Sequence, residues 1–238
     1  MPEVSIITVC LNDKIGLEKT IQSVLSQTFY DFEFIIVDGA STDGSQDVLK
    51  KHSSRITNWV SEKDNGIYDA MNKGISKSKG RYYLFLNAGD FLANENVIEE
   101  FYKWGRGEDI VYGDMILKKK NNEELLMKSP EHVSIRRMLT DTIWHPVSFI
   151  KRELFELYGL YDLKYKIVAD YEFFVRTIVK EKVTTFHIPI VVSVFDDSGI
   201  SSNMNHRDAL IKERNHVQDL YFNRFLLYCF RWYSKWRN

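Results

Sequence analysis

Residues 81–90 read Arg-Tyr-Tyr-Leu-Phe-Leu-Asn-Ala-Gly-Asp, and this stretch decides the fold that the sequence predicts. Residues 82–86 are all apolar or aromatic, which is typical of a strand buried on both faces in a parallel sheet. The polarity then changes abruptly at the Asn-Ala-Gly-Asp turn. Ligands of open α/β sheets bind beyond the carboxyl ends of the strands, so this turn is a candidate site for a divalent cation. A solvated Asx turn is the alternative.

The preceding residues alternate between strand-like and helix-like patterns. Apolar runs at residues 4–9, 32–37 and 56–60 predict three further strands. A helix between the first two is predicted by a stripe at helical spacing: Leu17, Ile21, Val24 and Leu25. This alternation is typical of right-handed βαβ units, and hence of a mostly parallel sheet with helices on its faces.

Composition excludes several classes of protein. The chain has 238 residues and a net charge of −1, so its overall field gives no general attraction for nucleic acid. Its two cysteines, Cys10 and Cys229, lie far apart in dissimilar segments, which argues against a disulfide framework and favours the reducing cytoplasm. No basic leader precedes the first predicted strand, and no apolar run is long enough to span a membrane.

A second polar segment precedes a predicted helix. The apolar stripe of that helix places residues 64–66 (Asp-Asn-Gly) at its amino terminus; it comprises Ile67, Ala70, Met71, Gly74 and Ile75. Backbone N–H groups at such a terminus suit a phosphate or carbonyl ligand. An ordinary N-cap formed by Asp64 is the alternative.

The second half of the chain contributes a histidine and an acidic helix start. Pro146 favours extended geometry at His145, and residues 147–150 predict a strand. His145 either lines a ligand pocket or is structural. A strand at residues 109–112 is expected to end at Gly113-Asp114, and residues 118–124 predict a solvated, charged turn between strands.

Asp170 stands at the start of another predicted helix. A helical stripe of apolar residues places it in the first turn: Tyr171, Phe174, Val175 and Ile178. A carboxylate is favoured there by the helix dipole, so position alone is consistent with a simple cap.

Four segments in this order resemble family 2 glycosyltransferases with the GT-A fold. They are residues 5–12, 36–45, 64–74 and 87–90. The resemblance implies an α/β fold with a Rossmann-like, mostly parallel central sheet flanked by helices and a small mixed acceptor-side region. It divides the chain into a donor-binding half at residues 1–115 and an acceptor-side and catalytic-base half of the same domain at residues 116–205. Residues 206–238 form an aromatic and basic helical extension.

The resemblance also implies roles for individual residues on the donor side. Asp38 binds the base of a nucleotide sugar, and Asp90 holds a divalent metal, Mg²⁺ or Mn²⁺, on the donor diphosphate. The other donor-binding positions are Val9, Asn12, Asp64, Gly66, Asn72, Asn87, Ala88 and Gly89. This sequence departs from the family in two places: the first carboxylate of the metal motif is replaced by Asn87 or Ala88, and Gly39 stands where many relatives have a second aspartate.

The acidic motif at residues 168–176 resembles the one that supplies the catalytic base in inverting family members. Asp170 is its best match and Glu172 the second. Ala169 replaces a helper carboxylate that some relatives carry. We assign Asp170 as the catalytic base, and His145 and Glu172 to the acceptor side.

Two further segments each allow more than one interpretation. Residues 196–203 contain a Gly-Ile-Ser element and form either a lid over the donor or a mobile loop without chemistry. From residue 219 onward, aromatic and basic residues interleave nearly all round a helix. Such a helix can lie at a membrane interface, pack on the domain, or mediate a homodimer.

The resulting hypothesis is an inverting, metal-dependent glycosyltransferase of the hexosyltransferase class. It moves a sugar from a UDP- or GDP-sugar to a hydroxyl of a glycan or polyprenyl-linked acceptor in bacterial surface polysaccharide synthesis. It acts in the cytoplasm, free or peripheral to the inner face of the plasma membrane. A non-catalytic sugar-nucleotide binder in an assembly complex is the alternative. A sugar-nucleotide pyrophosphorylase is disfavoured, because residues 10–14 are not a Gly-rich, basic loop.

Overall fold

The structure, a computed structural model, describes residues 1–105, 107–196 and 207–237, with side chains up to Trp232 in the last helix. Nine strands in this part of the chain form one sheet: β1 (Val4–Cys10), β2 (Phe32–Asp38), β3 (Asn58–Ser61), β4 (Tyr82–Phe85), β5 (Phe91–Leu92), β6 (Ile110–Lys118), β7 (Glu124–Met127), β8 (Ser148–Lys151) and β9 (Thr185–Asp196). The same residues form α-helices α1 (Lys14–Leu25), α2 (Ser45–His52), α3 (Ile67–Lys77), α4 (Val97–Trp104), α5 (Ile135–Thr140), α6 (Arg152–Tyr158), α7 (Ala169–Phe174), α8 (Arg207–Tyr221) and α9 (Arg224–Arg237). A π-helical turn, Val175–Lys180, extends α7.

The strands follow the order β3-β2-β1-β4-β8-β6-β9-β5, and β7 pairs with β6. Neighbours from β3 to β4 are parallel. Because β8 is antiparallel to both β4 and β6, β6 and its parallel partner β9 run in the same direction as β4. The predicted mostly parallel sheet is confirmed, and the carboxyl ends of β1, β2 and β4 meet at one edge.

Neighbouring residues of the central strands enter two separate hydrophobic cores. In β4, Tyr83 and Phe85 belong to one core, whereas Tyr82 and Leu84 belong to the other. Side chains of α3, α6, α7 and α8 complete the first core, and those of α1, α2 and α4 complete the second. The strand is therefore buried on both faces, as its apolar run predicts.

The predicted end of the strand at Gly113 is wrong, because β6 continues to Lys118. The pairing with β9 shifts register on either side of Asp114, so a bulge replaces the expected turn. A Cβ at Gly113 would lie 2.7 Å from the carbonyl oxygen of Ile190, which explains why this bulge needs glycine. Pro189 falls in the same interruption of the ladder, where a missing N–H costs no strand hydrogen bond.

The extended geometry predicted for His145 is also wrong. His145–Val147 forms a 3₁₀ turn, and β8 begins at Ser148. The carbonyl oxygen of Trp144 accepts hydrogen bonds from the hydroxyl of Ser148 (2.7 Å) and the amide of Val147 (3.3 Å), which closes the turn.

The carboxyl-terminal extension consists of two helices separated at residues 222–223. The side-chain oxygen of Asn223 accepts hydrogen bonds from the amides of Phe225 (2.9 Å) and Leu226 (3.3 Å), and thus caps the start of α9. Buried Phe222 and Leu227 belong to the core shared with α7 and α8, so the beginning of this region packs on the domain. Among the described helices, none combines the length and apolarity that crossing a bilayer requires.

Candidate active site

A cavity of about 370 Å³ opens at the carboxyl edge of the sheet, beside the ends of β1 and β4 and the first turns of α3 and α7. Eight of the residues predicted for the site line it: Val9, Asp64, Gly66, Asn87, Ala88, Asp90, His145 and Asp170. The predicted metal ligand and the predicted base therefore face one space.

The turn that follows β4 is fixed by backbone hydrogen bonds. The amide of Ala88 donates to the carbonyl of Val9 (3.0 Å), and the hydroxyl of Thr20 donates to the carbonyl of Asp90 (2.6 Å). Gly89 has φ +98°, a left-handed conformation that glycine adopts without strain. The turn thereby holds Asp90 against the cavity, whereas Gly89 itself does not line it.

Asp90 is only 4% exposed. Its Oδ1 accepts a hydrogen bond from the backbone amide of Asp196 (3.1 Å). Burial raises the pKa of Asp90 to about 7, against the opposing influence of nearby His145. A buried carboxylate with this pKa is poorly compensated in the absence of a bound cation.

The donor set at this turn fits a hard divalent cation that arrives together with a phosphate ligand. The described residues contain no cluster of three or more His, Cys, Asp or Glu side chains that would hold a metal alone. Asp90 supplies one buried carboxylate at the cavity wall, and Mg²⁺ or Mn²⁺ commonly completes its shell with waters and phosphate oxygens. The motif itself contributes one carboxylate, Asp90, and the carboxylates of Asp13 and Asp196 also line the cavity.

Asp38 is fully buried at the end of β2, beside the cavity rather than in its lining. Its Oδ2 accepts hydrogen bonds from the amide of Ser41 (3.0 Å) and the hydroxyl of Ser61 (2.6 Å). Its Oδ1 is buried and has no hydrogen-bond partner among the described residues. An unpaired buried acceptor is costly, so this atom is free to accept a donor from a ligand.

Gly39 makes room for Asp64. A Cβ at Gly39 would lie 2.5 Å from Oδ2 of Asp64, so a side chain there would collide with this carboxylate. Asp64 is not the N-cap of α3: that position is Gly66, and Oδ1 of Asp64 accepts from the Gly66 amide (2.9 Å). Gly39 lacks the carboxylate that many relatives have at this position, and the Asp64 carboxylate from the loop before α3 lies beside it.

Asn12 and Asn72 do not line the cavity and act on its framework. Oδ1 of Asn12 accepts from the amide of Thr42 (2.8 Å), which ties the loop after β1 to the loop after β2. Asn72 bonds both backbone groups of Tyr161, donating to the carbonyl (2.9 Å) and accepting from the amide (3.1 Å).

Glu172 also lies away from the cavity, so the structure gives no support to its predicted acceptor-side role. It is 2% exposed and forms an ion pair with Arg176 (3.0 Å). It also accepts a hydrogen bond from the hydroxyl of Tyr221 (2.5 Å). On α7, Asp170 and Glu172 are two residues apart and face different directions, because a helix turns about 200° over that spacing.

Asp170 is joined to two other side chains of the cavity. Its Oδ1 accepts from the hydroxyl of Tyr68 (2.8 Å), and its Oδ2 is 3.1 Å from Nδ1 of His145. Burial by itself raises the pKa of Asp170, but hydrogen bonds from His145, Tyr68 and the Tyr171 amide outweigh burial and lower it below the ordinary value. Nε2 of His145 lies 3.2 Å from Nδ2 of Asn87, so one chain of polar contacts crosses the cavity from α7 to the turn after β4.

Several lining residues were not predicted from the sequence: Cys10, Leu11, Asp13, Ile67, Tyr68, Ala70, Lys166, Ile167, Phe195 and Asp196. Tyr68 was detectable as the aromatic residue two positions after Gly66. No local sequence pattern identifies Lys166 as a residue of the site. Asp196 begins the predicted lid, and the rest of that segment, residues 197–203, lies outside the described residues.

Comparison with known proteins identifies the family of this chain. The family model described as "Glycosyl transferase family 2" matches residues 5–162. A relative from Mycobacterium bovis (strain BCG / Pasteur 1173P2), "PGL/p-HBAD biosynthesis glycosyltransferase", is 31% identical over 208 residues, covering 85% of this chain and 80% of the relative.

Solved structures agree in fold. Residues 1–349 of TarS from S. aureus superpose with a TM-score of 0.68 at 16% identity, over 83% of this chain and 61% of that chain. The same fragment in complex with UDP-GlcNAc gives 0.64 at 15% identity, over 84% and 59%. The mannosyltransferase PcManGT from Pyrobaculum calidifontis, in complex with GDP-Man and Mn²⁺, gives 0.63 at 17% identity, over 82% and 56%. This chain thus covers less than two thirds of the length of each of these structures.

The fold and the family match define a glycosyltransferase of the GT-A type. The chain belongs to glycosyl transferase family 2, as its four motifs predict.

Proposed function

We propose that the protein transfers a hexose from a UDP- or GDP-sugar to a hydroxyl of a glycan or polyprenyl-linked acceptor, with inversion at the anomeric carbon. The observation that carries the proposal is that Asp90 and Asp170 line the same cavity. A sugar held between them would have its diphosphate at one side and an acceptor hydroxyl at the other. In-line displacement across such a space inverts the configuration.

The donor side is assigned to residues 1–115. The unpaired Oδ1 of Asp38 accepts a hydrogen bond from the nucleobase, and the Asp64 carboxylate lies beside Gly39, the position at which many relatives have a second aspartate. Asp90 would hold the divalent cation, which when bound neutralises charge on the departing diphosphate. The binding of UDP-GlcNAc by TarS and of GDP-Man by PcManGT supports a nucleotide-sugar donor.

The acceptor side is assigned to residues 116–205. A hydroxyl is a weak nucleophile and must lose its proton during attack. Asp170 accepts this proton either directly or through His145, which hydrogen-bonds it at 3.1 Å.

Asp170→Asn tests the proposed reaction. We expect the variant to bind donor like wild type but to lose transfer by about two or more orders of magnitude, because the amide can neither take up a proton nor stabilise a protonated His145. Nucleoside diphosphate release and product formation are measured with a panel of nucleotide sugars and acceptors in Mn²⁺, and NMR reports the anomeric configuration of the product. Wild-type protein that binds a donor but never transfers its sugar would instead support a non-catalytic binder.

We propose that α9 contacts the membrane that carries a lipid-linked acceptor, at its cytoplasmic face. Phe225, Tyr228 and Trp232 are 76%, 70% and 61% exposed and recur at helical spacing, whereas Leu227 on the opposite side is buried. These three aromatic residues therefore form an exposed stripe on one side of α9. Exposed Arg224 at the start of α9 adds positive charge suited to anionic lipid.

Vesicle flotation tests the role of α9. Wild-type protein is expected to float with vesicles that contain anionic lipid, and a Phe225→Ser, Tyr228→Ser, Trp232→Ser triple variant is expected to stay in the soluble fraction. A matched control replaces exposed apolar residues elsewhere, Ile15 and Tyr30, with serine. Wild-type protein that never floats, together with a variant that converts a dimer to a monomer in light scattering, would assign the stripe to self-association.

A further inference from the structure

The carboxylate of Asp170 is largely engaged by the protein. Oδ1 accepts from the Tyr68 hydroxyl (2.8 Å) and from the backbone amide of Tyr171 (2.9 Å), and Oδ2 accepts from His145 (3.1 Å). A carboxylate offers about four lone-pair sites, so roughly one remains. Donors that stabilise the ionised form also make it a weaker base. Asp170 is thus better suited to orient a neighbour than to take a proton itself.

His145 is the neighbour that Asp170 orients. An ionised carboxylate only accepts hydrogen bonds, so Nδ1 of His145 carries the proton in this pair and Nε2 keeps a lone pair. Nε2 faces the turn after β4, where Nδ2 of Asn87 lies 3.2 Å away. This contact is at the long limit for a hydrogen bond, and an incoming hydroxyl can replace it.

The described lining of the cavity carries more acidic than basic side chains near His145. His145 is 16% exposed at the side chain, so it is shielded from water but open to the cavity. Only one lysine, Lys166, is among the described lining residues. Carboxylates reach the cavity from the loop after β1, the loop before α3, the turn after β4, the start of α7 and the end of β9: Asp13, Asp64, Asp90, Asp170 and Asp196.

We propose that Nε2 of His145 is the atom that takes the proton from the acceptor hydroxyl, and that Asp170 is a positioning residue that stabilises the resulting imidazolium. The acceptor oxygen forms its bond to the anomeric carbon as its O–H bond breaks. The bond from that carbon to the diphosphate oxygen breaks at the same time, and its electron pair leaves with the nucleoside diphosphate. The proton on Nε2 is then released to water. This inference rests on the proposed function and specifies its base.

His145→Ala with added imidazole tests the assignment. We expect kcat to fall by about 10² to 10⁴, the usual contribution of a general base, with little change in the KM for donor. Free imidazole is expected to restore kcat at least about tenfold, in proportion to the concentration of its neutral form. The same addition is expected to leave Asp170→Ala unrescued, because a carboxylate, not an imidazole, is missing there. Donor binding, measured by calorimetry with UDP and Mn²⁺, is expected to persist in both variants.

The chain offers a matched control in a second histidine–aspartate pair. Nε2 of His187 lies 2.9 Å from Oδ1 of Asp114, and both side chains are 13% exposed, as shielded as the His145–Asp170 pair. Neither residue lines the cavity. His187→Ala therefore loses a comparable buried imidazole, and we expect its kcat to stay near wild type and to be insensitive to imidazole.

The pH dependence of kcat provides a further test. At saturating Mn²⁺, a base at His145 gives wild type an acidic limb that His145→Ala lacks, whereas a base at Asp170 leaves that limb in the variant. The limb must not move when the Mn²⁺ concentration is raised further, which separates it from protonation of Asp90.

Three results would overturn the assignment: His145→Ala that keeps kcat within about threefold of wild type, a loss of kcat that imidazole does not restore, or an acidic limb that persists in His145→Ala. Each is observed on protein whose wild type transfers sugar. A wild type that transfers no sugar to any acceptor would refute the proposed function itself.

Discussion

Asp90 is a buried carboxylate whose protonation depends on what binds beside it. Burial raises its pKa to about 7, whereas an aspartate in the unfolded chain titrates near 4. The folded, metal-free protein therefore holds this proton more tightly than the unfolded chain does between about pH 4 and pH 7. By linkage, the contribution of Asp90 to the free energy of unfolding falls as the pH rises through that window.

Asp90→Asn is expected to stabilise the metal-free protein at pH 8 by roughly 1 to 4 kcal/mol, because it removes a buried charge. It is also expected to abolish the stabilisation that Mn²⁺ with UDP gives to wild type, which should be larger at pH 8 than at pH 6 since metal must displace the proton. Thermal unfolding at both pH values measures these effects. The exposed Asp47→Asn serves as control, and an Asp90→Asn variant indistinguishable from it would contradict the assignment.

Gly39 shows how a departure in the sequence is explained only in three dimensions. The sequence identifies a missing carboxylate at this position but not its consequence. In the fold, Asp64 comes from the loop before α3, and its Oδ2 lies where a side chain at residue 39 would project. Residues 25 positions apart thus share one location, which no local pattern reveals.

The π-helical extension of α7 joins this helix to the carboxyl-terminal helices. Arg176 pairs with Glu172 and also donates to the backbone carbonyls of Tyr158 and Leu160, while Tyr221 at the end of α8 donates to Glu172. This buried pair fixes the face of α7 that is turned away from the cavity, and so orients Asp170 on the other face. We assign Glu172 a structural role.

Glu172→Gln is expected to lower the free energy of unfolding by about 2 to 4 kcal/mol, because it leaves Arg176 partly buried without its counter-charge. The KM for acceptor is expected to stay close to wild type at a temperature where the variant remains folded. Denaturant unfolding and acceptor kinetics measure the two effects. Glu99→Gln, which removes a surface pair with Lys103, is the control and is expected to unfold like wild type. A raised acceptor KM with unchanged stability would instead restore the acceptor-side role that the motif predicts.

On the scale of the whole molecule, the sheet brings distant segments to one edge. Asp38, Asp90 and Asp170 lie far apart in sequence. Asp38 ends β2 and Asp90 follows β4, and the carboxyl ends of these strands lie at the same edge of the sheet. Helix α7 carries Asp170 to the cavity that Asp90 also lines. The antiparallel strand β8, between β4 and β6, links the two halves through continuous hydrogen bonding. One continuous sheet therefore underlies both the half of the chain that carries Asp90 and the half that carries Asp170.

The sequence by itself determined most of the strands, several helices and the family. These follow from local patterns: continuous apolar runs, stripes with period 3.6, and short motifs whose residues are neighbours in the chain. It also located Asp90 and Asp170, because each stands at a recognisable element end. The course of β6 through Gly113 and the 3₁₀ turn at His145 were predicted wrongly, since pairing with β9 and packing of the turn overrode local preference.

Only the tertiary structure decided which side chains share the cavity and which atoms they present. His145 is 25 residues from Asp170 and 58 from Asn87, so its position between them is set by the packing of β8 beside β4 and of α7 against the sheet. Asp170 lines the cavity and Glu172, two residues further along the same helix, does not, because the two side chains project from different faces of α7. Hydrogen bonds and burial act through space, so the chemistry of this site is a property of the fold and not of any one segment.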